Sequence, residues 1–478
     1  MSETTHNPSE KNLNFTALIA LVVGSMIGGG IFSLPQNIAE TASPGASLIG
    51  WIITGIGMLM LAFVFQNLAH RKPELDSGVY AYAQAGFGNY MGFNSAWGYW
   101  LSAWLGNVSY YVLIFSTLGY FFNVFGDGNT LTALVGASVL LWAYNFMITK
   151  GIQTATSVNT LITIAKVIPL FTFIVIIFTV FNMDLFNSDF WGRETDLGSV
   201  PDQVTNMMMV TVWVFIGIEG ASVYSARAKK RSDIGKATVL GFIFTLVLLM
   251  LVNFLAMGVR SLPELAAMKN PSMAYLLEYA VGPWGATFIS VGLVVSLLGG
   301  LLAWTLFCAE VLFVAAKDET MPRFFYKTNA VDVPVNALLV SSAATQLFLV
   351  ITYFSKSTYN NIFYLSTSMI LIPYFFSAAY GFLVAYRKEG YKPSESATKD
   401  IIIGITALFY SIWLLYAAGI QYFLLSALLY LPGVVLYIKA RREHKHQLFN
   451  TAEKVVLVVI TVSAIYAAYG LYSGTLSL

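Results

Sequence analysis

Long apolar runs alternate with short polar segments along almost the whole chain, from about residue 13 onward. About 20 consecutive apolar residues are enough for a helix to cross the hydrocarbon of a bilayer. By that rule the pattern predicts about 13 membrane-spanning helices, two of them interrupted. The predicted spans are 14–40 (interrupted), 46–68, 90–123, 131–149, 157–181, 203–225 (interrupted), 237–258, 284–315, 335–353, 361–386, 400–418, 421–439 and 454–473.

The composition agrees with a polytopic membrane protein. Of the 478 residues, 57% are hydrophobic and only 10% are charged, whereas soluble domains have about 25% charged residues. The single cysteine, Cys308, excludes an intrachain disulfide and a cysteine-based metal site. The four histidines fall in tails or loops, and no nucleotide-binding motif is present. We therefore expect no metal, no cofactor and no nucleic-acid partner.

Lysine and arginine predict the orientation. With the N-terminus in the cytoplasm, most of the 26 basic residues fall on the inner side, as the positive-inside rule requires. Only Arg193, Arg260, Lys269 and Lys356 would lie outside, and Lys166 lies within a span. An odd number of spans then places the C-terminus outside. We expect a multi-pass protein of a bacterial-type inner or plasma membrane.

The first span contains the stretch GSMIGGGIF at residues 24–32. Each glycine costs a helix about 1 kcal/mol relative to alanine, and unwound backbone survives at membrane depth only where it lines a cavity or a ligand. Secondary transporters use such interrupted helices to hold charged groups of the substrate. Close packing against another helix is the alternative explanation for a glycine face, but three consecutive glycines point in different directions. We therefore predict an unwound segment at residues 28–30.

Three ionisable residues, Lys166, Glu219 and Glu310, lie within predicted spans. Such residues are functional candidates by default. A buried ion-pair network is the alternative, although burying charges for stability alone often gains nothing. Glycines flank Glu219, so we expect the sixth span to be interrupted as well.

Interruptions in spans one and six are typical of a five-plus-five inverted repeat, in which the two interrupted helices face each other across the substrate site. The predicted fold class is therefore an all-α polytopic membrane protein of this type, with discontinuous helices one and six. Its predicted segments are a cytoplasmic tail at 1–12, the first repeat at 13–182, the inverted repeat at 203–387, two helices at 400–440 and a last helix at 452–474.

Several stretches resemble the amino acid–polyamine–organocation superfamily, and in particular its basic amino acid/polyamine antiporters. Residues 24–35 are similar to the first interrupted helix, and residues 213–223, WVFIGIEGASV, to the sixth. Residues 99–107, YWLSAWLGN, resemble the third helix, and residues 303–306, AWTL, with 315–318, AAKD, resemble the eighth helix and the loop after it. The motifs keep their order over most of the chain.

Within that family the resemblance is strongest to the arginine–ornithine antiporters. Their pattern is matched by residues 71–80, RKPELDSGVY, by residues 95–100, SAWGYW, and by a thirteenth span.

The resemblance implies where a substrate binds. In related transporters the substrate carboxylate and amine contact the unwound backbone of helices one and six, and the side-chain cation stacks on an aromatic ring of helix eight. The implied substrate-binding residues are Ser25, Ile27, Gly28, Gly29, Gly30, Tyr99, Ala103, Asn107, Trp213, Ile216, Trp304 and Ser366. Helix N-terminal N–H groups suit a carboxylate, and a desolvated cation over tryptophan gains ~2 kcal/mol.

The resemblance also implies roles in gating or coupling. Tyr99, Trp213 and Glu219 occupy the positions of gate residues, and Lys166 and Glu310 are further coupling candidates. Val214 departs from the arginine–agmatine relative, which has a hydroxyl residue there. That relative also lacks Lys166, whereas other superfamily members have a lysine near the position of a sodium ion. Its ammonium would replace sodium, so we expect no sodium requirement.

The implied function is exchange of a cationic amino acid for its metabolic product by alternating access, with arginine taken up and ornithine released. Histidine–histamine and lysine–cadaverine exchange remain open, as does a proton-coupled uniporter or symporter. A channel would need a continuous pore, and an enzyme would need a nucleophile–base or metal set. The expected partners are small cationic amino acids or amines and the lipid bilayer. A homodimer is left open, because no GxxxG-type signature decides it.

Overall fold

The computed structural model describes residues 14–75, 78–151, 156–219, 229–230 and 232–476, and of residues 17, 21, 156–165 and 232 the backbone alone. Within these ranges the chain forms α-helices, two short 3-10 helices and loops, with no β-strand. The predicted all-α membrane fold is confirmed. The predicted tail at 1–12 and the second half of the interrupted sixth span, residues 220–225, lie outside the described residues.

The helices are numbered here in chain order. They are α1 Phe15–Met26, α2 Gly30–Ala39, α3 Pro44–Arg71, α4 Val79–Phe87, α5 Asn89–Phe121, α6 Leu131–Thr149, α7 Thr156–Thr179, α8 Met183–Ser188, α9 Val200–Phe215, α10 Ser232–Ala256, α11 Leu262–Ala266, α12 Ser272–Val281, α13 Pro283–Lys317, α14 Val335–Ser355, α15 Tyr359–Tyr386, α16 Thr398–Ala417, α17 Gly419–Glu443 and α18 Thr451–Ser473.

Ten helices of the described chain are long and apolar enough to cross a membrane, or 11 if α1 and α2 together form one span. Each predicted span coincides with a helix, or with the pair α1 and α2, over its described part. The span count of about 13 stays a prediction. The connecting helices α4, α8 and α12 were not predicted, because each is too short to cross a membrane and therefore gives no span-length apolar run.

The first span is interrupted where the glycines predicted it. Helix α1 ends at Met26, α2 begins at Gly30, and the two axes differ by 47°. Helix α9 ends at Phe215, and Gly217 then adopts a φ of +105°, which favours glycine. A β-carbon on Gly217 would lie 2.8 Å from the Ser25 carbonyl oxygen. The interruption of the first span and the end of α9 therefore meet backbone to backbone, at a distance that only glycine permits.

Helix α5 lies at the centre of the bundle and packs against both α13 and α15. Helix α1 packs against α10, while α2 contacts α9, α10, α11 and α12. The interrupted span is thus held between α9 and α10 on one side and the loop helices α11 and α12 on the other. This arrangement brings the interruption of the first span and the end of α9 next to the middle of α5.

Candidate substrate site

A cavity lies where the interruption of the first span and the end of α9 meet α5 and α13. Its lining combines unwound backbone, small side chains and three large aromatic rings. The lining residues are Ser25, Met26, Gly28, Gly30, Ser102, Ala103, Gly106, Tyr110, Trp213, Val214, Ile216 and Trp304. Of the residues expected to bind substrate, the structure brings Ser25, Gly28, Gly30, Ala103, Trp213, Ile216 and Trp304 together around this cavity.

The glycine run both unwinds the helix and allows aromatic rings to approach it. A β-carbon on Gly30 would lie 2.8 Å from the Trp213 ring, and one on Gly29 would lie 2.8 Å from the Leu297 side chain. A β-carbon on Gly28 would lie even closer to the hydroxyl of Tyr110. Unwinding and close packing, which were alternative explanations from the sequence, therefore both apply to this segment.

Ser25 connects the end of α1 directly to the segment that follows α9. Its hydroxyl donates to the carbonyl oxygen of Gly217 at 2.9 Å. On the other side of α1, the Lys166 ammonium donates to the Gly24 carbonyl oxygen at 3.2 Å. The last carbonyl groups of a helix have no intrahelical partner, and a cation is favourable at that end. Lys166 thus ties α7 to the end of α1.

An aromatic cluster closes one end of the cavity. The Trp213 indole N–H donates to the Tyr359 hydroxyl at 2.9 Å, and its ring stacks on Phe363 with centroids 5.7 Å apart. The Tyr110 ring meets Trp213 edge-on at 6.0 Å. Trp213, Tyr359 and Phe363 are called the outer wall below, because the predicted orientation places them on the outer side.

A second cluster lies at the opposite end, around Glu219. Its carboxylate accepts hydrogen bonds from the hydroxyls of Tyr99 and, at 2.8 Å, Tyr374. The Glu219 side chain is only 3% exposed. These three residues, called the inner contact below, join α5 and α15 to the end of α9. The side-chain partners are neutral hydroxyls, so the Glu219 carboxylate has hydrogen bonds but no described counter-ion.

The remaining predicted residues lie beside the cavity instead of lining it. The Ser366 hydroxyl, fully buried, donates to the Ser102 carbonyl oxygen at 2.8 Å. The Asn107 amide nitrogen lies 3.4 Å from the Thr305 hydroxyl, and its oxygen has no described partner. Ile27 is buried in the core, and Glu310 lies on an exposed face of α13.

The sequence alone did not identify Tyr110, Thr305, Tyr359 and Tyr374 of the site, nor the lining residues Met26, Ser102 and Gly106. Tyrosine looks like any other aromatic residue in an apolar span, and only its hydroxyl needs a hydrogen-bond partner when it is buried. That requirement was the available signal, but the partner could not be identified without the fold.

A family model described as amino acid permease matches residues 13–462. An arginine/ornithine antiporter of Pseudomonas aeruginosa is 59% identical over 98% of this chain and 99% of its own length. An L-lysine transport protein of Corynebacterium glutamicum is 43% identical over 98% of this chain and 97% of its own length. An arginine/agmatine antiporter of Chlamydia caviae is 41% identical over 96% and 97% of the two chains.

Proposed function

We propose that this chain, which belongs to the amino acid permease family, is a secondary-active antiporter that takes up arginine and releases ornithine by alternating access. The family and the matched relatives are transporters and not enzymes. The relatives named for arginine/ornithine exchange support this substrate pair. Lysine–cadaverine and histidine–histamine exchange are not favoured, since neither pair appears in those names, although one relative is named for lysine transport.

The observation on which the proposal rests is the cavity that joins an interrupted helix to the ring of Trp304. The N–H groups at the start of α2 suit the carboxylate of an amino acid. The lining residues include no Asp, Glu, Lys, Arg or His among the described residues. A side-chain cation would therefore be held by the face of an aromatic ring, where desolvation strengthens the attraction.

The packing supports an arrangement that is closed on the outer side. Every residue of α2 is buried, and the outer wall covers the cavity beside it. Gly24, Ser25 and Trp304 are by contrast only half-buried. In this arrangement the substrate would enter and leave the cavity from the side of the inner contact. Opening toward the outside would require the outer wall and α2 to separate.

The basic residues keep the N-terminus cytoplasmic and the C-terminus outside in this proposal, with the bundle in a plasma membrane. Apolar side chains exposed on α16 and α18, such as Phe409 and Val462, would face lipid or a second copy of the chain. Lys166, tied to the end of α1, would occupy the place of a sodium ion, so exchange would not require sodium.

Counterflow in proteoliposomes tests the function. Purified protein is reconstituted with ornithine, arginine, agmatine, cadaverine or histamine inside, and uptake of labelled arginine is followed. Uptake is expected with internal ornithine or arginine and not with empty vesicles. Equal uptake into empty vesicles would indicate a channel or uniporter, and uptake driven only by cadaverine or histamine would assign a different substrate pair.

Trp304→Leu tests the site. Loss of a cation–π contact of ~2 kcal/mol corresponds to roughly thirtyfold weaker binding of arginine. Calorimetry on the purified variant measures this, and Trp284→Leu, at the exposed outer end of the same helix, is the matched control. Unchanged arginine affinity in Trp304→Leu would remove that ring from the substrate site.

A further inference from the structure

Glu310 is an acidic residue within a predicted span, and it does not line the cavity. It is exposed on α13, and it makes no hydrogen bond or ion pair with any described residue. At 1.5 Å per residue it lies about 9 Å beyond Trp304, toward the end of the helix at Lys317. Lys317 itself is about 10 Å further on.

The exposed face of α13 continues the lining of the cavity. Ala303, Glu310 and Lys317 are all exposed and are spaced seven residues apart, so they lie along one face of the helix. Phe307 lies between Ala303 and Glu310 on this side. Its ring is 5.4 Å from the Trp304 ring and 5.3 Å from the Tyr99 ring, measured between centroids. The face with Glu310 therefore begins at the cavity and passes the inner contact.

Exposure of a carboxylate at this depth indicates water and not lipid. A charged side chain that faces hydrocarbon is costly, and ionisable residues within spans almost always face a bundle interior or a water-filled space. The opposite face of α13, with Thr305, Ala309 and Leu312, is buried against the bundle. The exposed face that carries Glu310 thus leads from the end of α13 at Lys317 to the side of Phe307.

We propose that Glu310, with the neighbouring ring of Phe307, forms a docking site for the cationic substrate on the cytoplasmic side of the inner contact. The inference rests on the proposed function, because only a cationic substrate would use it. A guanidinium or an ammonium can pair with the carboxylate while part of it lies over the ring. The site would concentrate cations at the entrance and would act on arginine and ornithine alike.

Glu310→Gln tests the proposal by side-resolved kinetics. In proteoliposomes of known orientation, the KM for substrate on the cytoplasmic face is expected to rise roughly tenfold, and the rise should be smaller at high salt. The KM on the outer face and the maximal exchange rate should change less than about twofold, since the charge acts on encounter. Glu74→Gln, in an exposed loop on the same predicted side, is the matched control and should leave both KM values unchanged.

A charge-rescue variant keeps the test decisive if Glu310→Gln expresses poorly. Glu310→Cys is made in a Cys308→Ser background, because Cys308 is the chain's single cysteine. A negatively charged thiol reagent added to the cytoplasmic face should restore the low KM, and a positively charged reagent should not.

Two results would overturn the docking site. One is a cytoplasmic KM that is the same in Glu310→Gln and in the wild type, as expected if the carboxylate only extends to the membrane surface. The other is an equal rise of KM on both faces. Wild-type protein that fails to exchange arginine would instead refute the proposed function, so the two failures are distinguishable.

Discussion

At the scale of single residues, the site combines weak individual interactions that become strong only because they are desolvated. The Trp213 ring is fixed by one hydrogen bond and by stacking, and the inner contact is fixed by two tyrosine hydroxyls on one carboxylate. Hydrogen bonds to a charged acceptor contribute about 1.5–3 kcal/mol each. Glu219 is thus the single residue on which the inner contact depends, because it accepts from both tyrosines.

Glu219→Gln should slow exchange while substrate binding persists. The amide keeps the shape of the side chain, but its one oxygen accepts with less strength than a carboxylate and its nitrogen can only donate. One of the hydroxyls of Tyr99 and Tyr374 then has to turn or lose its partner. We expect exchange at least tenfold slower, with a flattened pH profile because the variant cannot ionise at this position.

Binding affinity and exchange rate are measured on the same purified Glu219→Gln protein across pH. Glu278→Gln is a matched control, because Glu278 accepts from the Tyr120 hydroxyl at 2.8 Å outside the cavity. A wild-type rate with a wild-type pH profile in Glu219→Gln would reduce the inner contact to a structural role.

At the scale of helices, closure of the outer side depends on a cluster of amides that no single-residue argument would find. The Asn270 amide nitrogen donates to the side-chain oxygens of Gln36 and Asn360, both at 3.0 Å. Asn360 also donates to Gln36 at 3.1 Å, and Gln36 donates to the Ala266 carbonyl oxygen. The amide cluster of Gln36, Asn270 and Asn360 therefore ties α2 to the loop between α11 and α12 and to α15.

Asn270→Ala should shift the protein toward an outward-open arrangement. Asn270→Ala removes two hydrogen bonds that contribute about 0.5–1.5 kcal/mol each, so the equilibrium should shift roughly fivefold to 150-fold. The apparent affinity for a substrate that binds one arrangement rises in proportion to the population of that arrangement. We expect a lower KM for arginine on the outer face and a higher KM on the cytoplasmic face.

The control is Asn129→Ala. The side-chain amide that this variant loses donates to the carbonyl oxygens of Lys356 and Ser357 and does not contact α2. That variant should leave both KM values near the wild type. Asn270→Ala with KM values that move in the same direction on both faces would contradict a role of the amide cluster in closure.

The comparison of sequence and structure also belongs to this scale. The interruption of the first span was predictable, because glycine acts through its own backbone and needs no partner. The partners of Glu219 and the amide cluster were not, because their members are separated by 90 or more residues in the chain. An asparagine such as Asn270 looks like any loop residue until the fold brings α2 and α15 beside it.

At the scale of the whole molecule, the bundle keeps its fixed charges away from the cavity. On the predicted inner side, Lys72 pairs with Glu389 at 2.6 Å and Arg71 pairs with Glu395 at 2.5 Å, linking α3 to the loop after α15. The hydrogen bond from Lys72 lowers the pKa of the Glu389 carboxyl, so this pair stays ionised at neutral pH. These two ion pairs thus lie at the surface, away from the residues that line the cavity.

This distribution of charge predicts exchange that does not respond to membrane potential. Arginine and ornithine each carry one net positive charge, so one-for-one exchange moves no net charge. The Lys166 ammonium at the end of α1 remains with the protein, where a sodium ion would be carried across. We therefore expect equal rates of arginine–ornithine exchange with and without an imposed potential, and in sodium or potassium.

Agmatine provides the contrast within the same assay. It carries two positive charges, so uptake of arginine against release of agmatine moves one positive charge out of the vesicle. An inside-negative potential opposes that movement, and each 100 mV is worth about 2.3 kcal/mol per charge. Potential-dependent rates with internal agmatine, next to potential-independent rates with internal ornithine, would support one-for-one exchange. Two results would contradict this: arginine–ornithine exchange that accelerates with an inside-negative potential, or exchange that proceeds only in sodium. Either would show that a further cation moves inward with arginine and that Lys166 does not replace that cation.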